Sequence, residues 1–400
     1  MSIYNKIWLV ISFIFIIAAA LSAIGHPSYG DETHFVETIR LFSSASWPDI
    51  IKDYPEVTTP LVYIIYAAWG KLVGTGLIEL RILSLIISFL FLLVLYLYVI
   101  SYTKNEKLGL LLCALVIINP YIWGLSVFIF TDMLTLLFVL SALYMFTRDK
   151  PGLTAFFLGM AVLCRQYAII FTIALWLYIS LRSYYSREKR TFFKYTLYLF
   201  ISLIPLIVLT VIWKGLSPPS GTKKFILDTG LFWNPHALVT YITFSAIYIF
   251  PLLLIFNTRF FAYKKLLIPA VIISCLYFIF PVGVSKVTSI SNNLDTVGLI
   301  HKLLFSLAGR GVLSEIILFV FFFAGIWIIL IFLKEDIHTI QSGRISPVLL
   351  LSLCYYIFLM IMPFSYQVWE KYLILILPVL SLRTGLLFPY FLQKHAAPSL

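Results

Sequence analysis

The chain has 400 residues, 62% of them hydrophobic and 12% charged, and 29 Lys and Arg against 17 Asp and Glu give it a formal charge of +12. A soluble domain is roughly 45–50% apolar and about 25% charged, so with a mean hydropathy of +1.01 a water-soluble globule is excluded and lipid is the solvent for much of the surface. The basic residues sit in short clusters between apolar runs, which speaks for membrane topology and against a nucleic-acid-binding stripe.

A bilayer core about 30 Å thick takes about 20 apolar residues per helix, and backbone in lipid must satisfy its own hydrogen bonds. Each long apolar run therefore predicts a helix. The candidates are 7–24, 78–101, 108–122, 124–146, 152–165, 167–183, 195–213, 236–256, 266–284, 311–333, 346–362 and 372–391. The fold class is all-α: one polytopic transmembrane helical bundle over 1–400, with about 12 spans. Lys6 precedes the first run and HPSYG, a poor cleavage site, follows it, so the run reads as a retained signal anchor.

Residues 25–77 form a long outer loop with interfacial helices. Phe35, Val36, Ile39, Leu41 and Phe42 have the spacing of an amphipathic helix lying in the interface. The segment 61–74, LVYIIYAAWGKLVG, is half a bilayer long. Reading it as interfacial places Lys104, Lys107, Arg148, Lys150, Arg182, Arg187, Lys189, Arg190, Lys194, Arg259, Lys264, Lys265, Lys334 and Arg344 inside together with both termini, as the positive-inside rule requires. Two further outer segments follow, 214–235 and 285–310.

The residues able to carry chemistry lie on that outer side. Asp31 and Glu32 are adjacent carboxylates close to the end of the first helix, where an acid can accept a proton from a hydroxyl; such a pair also occurs in ordinary solvated loops. Thr58-Thr59-Pro60 opens the second interfacial helix, with threonine as cap and proline in the first turn. Asp132, in FIFTDML, is an acid at the end of a span, facing protein or a cavity. Arg165-Gln166 separates two apolar runs, and a guanidinium there either grips a phosphate or snorkels to headgroups. Lys223 and Lys224 stand in an outer loop, where basic residues are disfavoured, so an anionic ligand or headgroup contact is their reason. Lys371 opens the last run at the outer surface and can join a phosphate site, whereas Arg383, deeper in it, snorkels inward. His26, His34, His236 and His301 lack ligand spacing, so no metal is assigned. Cys113, Cys164, Cys275 and Cys354 read as small buried apolar residues. There is no P-loop, GxGxxG or HExxH, hence no sign of an ATPase or zincin and no cofactor.

The elements GDETHF at 30–35, TTPLVYIIYAAWGKLVG at 58–74 and RILSLIISF at 81–89 resemble the GT-C class, polytopic glycosyltransferases that use polyprenyl-phosphate-linked sugars. Within that class the chain is most similar to the dolichyl-phosphate-glucose α-1,2-glucosyltransferase family. That family has an acidic pair, an ITTPPGLY-like stretch, a TD near an outer helix end and an RQTN-like motif. Here Asp31-Glu32, Val57-Thr58-Thr59-Pro60-Leu61, Thr131-Asp132 and Arg165-Gln166-Tyr167-Ala168 keep that order, without the second proline, the glycine and the Thr-Asn. The resemblance implies an inverting hexosyl transfer from a polyprenyl-phosphate donor to a lipid-linked or surface glycan acceptor on the periplasmic or lumenal face. Short loops and a short inner N-terminus point to a multi-pass protein of a prokaryotic plasma membrane, with the endoplasmic reticulum as the alternative. In the implied transfer Asp31 is the base and Glu32 positions it or the acceptor. Arg165, Lys223, Lys224 and Lys371 meet the donor phosphate, and Thr58, Thr59, Asp132 and Gln166 position substrate. The competing reading is a transporter or flippase for a lipid-linked glycan, which uses the same cations and needs no base.

Overall fold

The computed structural model describes residues 2–225, 233–255, 261–284, 295–365 and 367–387; these are helical or irregular, with no strand. Its contacts gather into two compact units, Met1–Trp176 with Glu188–Asp228 and Leu177–Arg187 with Thr229–Leu400.

The first unit begins with α1 (Ile3–Ala23), started by the Ser2 hydroxyl accepting from the Asn5 amide at 3.2 Å. The loop that follows turns at Gly30, whose φ of +59° disfavours any side chain. It leads into α2 (Glu32–Ser44), the short α3 (Trp47–Ile50) and α4 (Leu61–Val73). The amphipathic spacing is realised in α2, but Phe35, Val36, Ile39 and Phe42 are buried, packed toward α4 rather than turned to lipid. Phe35, Phe42, Tyr54 and Tyr63 form an aromatic set with ring centroids 5.2–5.9 Å apart.

Next come α5 (Leu77–Thr103), α6 (Glu106–Ile117), α7 (Pro120–Val127), α8 (Thr131–Thr147), α9 (Pro151–Cys164), α10 (Ile169–Ser186), α11 (Lys189–Trp213) and α12 (Pro219–Phe225). The Trp8 indole donates to the Leu92 carbonyl at 2.9 Å, tying α1 to α5. Asn105 caps α6 and Asn119 caps α7. In the second unit are α13 (Pro235–Ile255), α14 (Leu267–Ser274), α15 (Leu299–Ala308), α16 (Val312–Gln341), α17 (Pro347–Ile361) and α18 (Leu377–Leu386), with short 3-10 turns between several of them.

Seven described helices are long and apolar enough to cross a bilayer, and α6 with α7, bent by 72°, make an eighth if they form one broken span. The protein is therefore an integral multi-pass membrane protein, but the count of twelve is not reached. The runs expected at 108–122 and 124–146 are cut differently: Asn119-Pro120 breaks the first, and Phe128 to Phe130 runs extended before α8. At 1.5 Å per residue, α8 and α9 (17 and 14 residues) are about 26 and 21 Å long, short of a hydrocarbon core of about 30 Å. The run at 266–284 is helical only in α14 and its flanking 3-10 turns, and the end of 372–391 lies outside the described residues.

Candidate functional site

The acidic pair is split by the start of α2. Asp31 is the N-cap residue and makes no side-chain capping bond, and its side chain is 42% exposed. Glu32 turns inward and is fully buried. Its two oxygens receive the Arg81 guanidinium of α5 from Nη2 at 2.6 Å and Nε at 3.0 Å. They also accept the backbone amides of Tyr29 at 3.2 Å and Ile129 at 3.0 Å. Arg81 donates in addition to the carbonyls of Ala23, Ile24, His26 and Pro27. These include acceptors at the end of α1 and in the loop beyond it, which have lost helical partners. The pair thus folds residues 23–32 around one guanidinium and sets where Asp31 stands.

The FIFT segment joins this arrangement to the next. The Phe128 ring lies 4.8 Å under the Arg81 guanidinium, Ile129 donates to Glu32, and Phe130 packs edge-on to Phe35 at 6.1 Å. Thr131 accepts from Arg165 Nε, and Arg165 Nη2 donates to Asp132 at 2.8 Å. Tyr167 donates to the other Asp132 oxygen at 2.9 Å. Arg165 is 6% exposed, so its charge is held inside the protein beside its counter-ion and does not snorkel. Gln166 donates to the carbonyls of Val57 at 2.6 Å and Leu216 at 3.0 Å. Thr59 donates to the Val162 carbonyl at 2.9 Å, and Thr58 shares a hydrogen bond with the Tyr63 hydroxyl at 2.6 Å. The helix cap expected of a threonine is not made, because Pro60 itself occupies the N-cap of α4 and Thr59 is spent on Val162.

A third group was not singled out by the sequence. Glu56, buried in the loop before α4, accepts from His34 Nδ1 at 2.6 Å and from the Thr38 hydroxyl at 3.3 Å. His34 Nε2 lies 3.7 Å from Asp31 Oδ1. Burial opposes the charged ring, but hydrogen bonds to Asp31 and Glu56 and the charge of both carboxylates outweigh it, lifting the His34 pKa from 6.5 to about 9. At neutral pH an imidazolium therefore sits between two carboxylates. Each buried carboxylate has its cation: Glu32 has Arg81, Asp132 has Arg165 and Glu56 has His34. Asp31 is the member of the cluster that reaches solvent, at a helix N-terminus whose dipole favours an anion.

The second outer segment closes over this corner. Ser220 of α12 gives Asp53 its amide at 2.8 Å and its hydroxyl at 2.6 Å. Trp213 donates to the Ile51 carbonyl at 2.8 Å. Lys223, on the same short helix, is exposed; the Lys224 side chain lies outside the described residues.

Lys371 belongs to the second unit, next to Glu370, which accepts the amides of Ile300 at 2.9 Å and His301 at 2.6 Å at the start of α15. Arg383 does not snorkel inward as the sequence suggests. It is buried, donating to Ser352 at 2.6 Å and Asp336 at 3.3 Å. The missed residues each left a signal. Arg81 is a lone cation inside an apolar run, and such a charge needs a partner. Glu56 directly precedes Val57-Thr58-Thr59, and His34 lies three residues after Asp31, one helical turn along α2.

The chain matches no protein-family model and no curated protein sequence. Two solved structures are similar to it, both of ArnT from Cupriavidus metallidurans. The apo form has a TM-score of 0.42 and the form bound to undecaprenyl phosphate 0.45, each at 13% identity over 95% of this chain and 76% and 77% of the other.

Proposed function

We propose that the protein is a GT-C-type glycosyltransferase that moves a hexose from a polyprenyl-phosphate donor to a hydroxyl of a lipid-linked or surface glycan, with inversion, on the outer face of its membrane. One observation carries this reading. Four motifs separated by up to 134 positions (from Asp31 to Arg165) are bonded into one corner of the first unit. Glu32 takes the Ile129 amide, Arg165 takes Thr131-Asp132, Gln166 takes Val57, and Thr59 takes Val162. These bonds draw motifs distant in sequence together beside Asp31, whose side chain is 42% exposed.

In the reaction, Asp31 accepts the acceptor hydroxyl proton as that oxygen attacks the anomeric carbon. The bond from that carbon to the phosphate oxygen breaks, and the polyprenyl phosphate leaves with the electron pair. Lys223 meets the charge that develops on the leaving group, and the Arg165 guanidinium, held by Thr131 and Asp132, supplies a fixed positive field behind it. Thr58, Thr59 and Gln166 hold the corner's backbone in shape for the substrates. Glu32 acts through the loop that it anchors. The motif order favours an α-1,2-glucosyl product.

The test is a reconstituted protein given a polyprenyl-phosphate hexose labelled in the sugar, together with a glycan acceptor. A new glycosidic bond formed by the wild type and lost in Asp31→Asn supports the assignment, and linkage analysis of the product tests the α-1,2 bond. Movement of intact donor lipid between leaflets with no new bond rejects it in favour of a flippase. Undecaprenyl phosphate, the lipid held by one of the ArnT structures, is the binding probe.

A further inference from the structure

The second outer segment is clamped onto the first at one point where no side chain fits. A Cβ on Gly221 would stand 2.0 Å from the Glu56 carbonyl oxygen and 2.3 Å from its carbon. One residue before Gly221, α12 is fixed by the Ser220 bonds to Asp53. The backbone of Glu56 is thus fixed from outside by α12, and its carboxylate is fixed from inside by Thr38 and His34. His34 in turn lies one turn along α2 from Asp31, within 3.7 Å of it, with its ring edge-on to Phe35 at 4.6 Å. The charged groups around His34 are Asp31 on its own helix and Glu56 across from it. A continuous line therefore runs from α12 through Glu56 and His34 to the exposed acid.

We propose that His34 is a positioning residue that holds the Asp31 carboxylate in place through its bond to Glu56, and that the docking of α12 on Glu56 sets this arrangement. This rests on Asp31 being the base in the proposed transfer. The imidazolium does two things. It sets a positive charge 3.7 Å from Asp31, and it restricts the carboxylate to one side of the helix end. Neither needs His34 to touch substrate. Because the ring's folded pKa lies above its ordinary value, the pair's contribution is complete below about pH 6.5 and is lost as pH rises through about 9.

The experiment has a structural arm and a kinetic arm on the full-length protein in lipid nanodiscs. In the structural arm, the His34 ring is titrated by NMR with labelled histidine. Wild type should titrate near 9, and Glu56→Gln and Gly221→Ala should each move it down by about one unit or more. In the kinetic arm, His34→Gln and Glu56→Gln should lower kcat about ten-fold with KM little changed, because ground-state binding of the substrates is not removed. The wild-type rate should fall above about pH 9, and in His34→Gln that alkaline limb should vanish. Should Gly221→Ala prove too unstable to purify, Ser220→Ala tests the same clamp with a smaller change. A His34 that still titrates near 9 in Glu56→Gln, or a His34→Gln enzyme with wild-type kcat while Asp31→Asn is inactive, overturns the positioning role. A fully active Asp31→Asn instead overturns the base assignment, and the NMR arm still reports on the His34–Glu56 pair.

Discussion

Among the buried arginine–carboxylate pairs, Arg81–Glu32 in the first unit and Arg383–Asp336 in the second are built from the same chemistry and differ in how completely they are satisfied. In the first unit, Arg81 grips Glu32 through two bonds, at 2.6 and 3.0 Å, and also gathers the carbonyls of the loop after α1. In the second, Arg383 reaches Asp336 through one bond at 3.3 Å, and Ser352 and Tyr356 complete the set from α17. The first pair organises irregular backbone, gathering carbonyls at and beyond the end of α1 that have no helical partner. The second joins helices whose backbones already satisfy themselves. What sets the first unit's corner apart is the addition of a wet acid beside the satisfied one: Asp31 is exposed next to fully buried Glu32. Saturated charge there builds the scaffold, and in the proposed transfer the charge left facing solvent is the one that takes the proton.

The largest effect expected tests that division directly. Asp31→Asn should reduce glycosyl transfer about 10²- to 10⁴-fold, the usual weight of a positioned general base, and leave the thermal unfolding midpoint in detergent unchanged. Glu32→Gln should act first on stability. It should destabilise the protein by about 3–5 kcal/mol, because Arg81 is left buried without its counter-ion. Equal loss of stability in both variants would erase the distinction between scaffold and working acid.

Removing whole pairs sharpens the comparison. Apolar replacement of a buried ion pair is often neutral. The double change Asp336→Leu with Arg383→Met should therefore shift stability by about 1 kcal/mol or less. Glu32→Leu with Arg81→Met should still unfold the first outer loop, since the carbonyls held by Arg81 are orphaned at about 1–3 kcal/mol each. Protease sensitivity confined to residues 24–60 is the readout, and a resistant loop in that double variant would refute the account. An intermediate effect is expected at Arg165. Lysine keeps the charge but loses the fork onto Thr131 and Asp132. Arg165→Ala should thus lower donor use about ten- to a hundred-fold at limiting donor, equivalent to about 1.5–3 kcal/mol, and Arg165→Lys less so. Unchanged use would leave the leaving phosphate to Lys223.

The sequence made the class legible, along with most long helices, because apolar length and turn chemistry are local. It also exposed Asp31-Glu32, Thr131-Asp132 and Arg165-Gln166 as unusual. It did not reveal that Asp132 and Arg165 are partners. Neither did it tell which acid of the adjacent pair faces inward, since neighbouring helical positions differ by about 100° and only the location of Arg81 decides. The span count failed for a related reason. Hydropathy sums over FIFT and over Asn119-Pro120 as though the backbone were continuous, whereas both are breaks, and the first is used to deliver an amide to Glu32. The short α8 and α9 read as spans by composition and fall short by length.

The smallest expected effect comes from the second unit and closes the comparison. Tyr356 donates to Asp336 Oδ2 at 2.8 Å, while Arg383 holds the other oxygen. Tyr356→Phe removes that one donor and keeps the ring, so packing is conserved and a single bond is lost. Side-chain hydrogen bonds between membrane helices average about 0.6 kcal/mol, because the unfolded helices also find partners in the bilayer. The change should therefore lower stability by about that much in a reversible unfolding titration, with no effect on transfer. A loss of about 3 kcal/mol or more, the size reserved for a broken buried pair, would mean that Arg383 alone cannot hold Asp336. The second pair would then be as indispensable as the first, and the contrast between the two would lie in the backbone they hold and not in how fully each is satisfied.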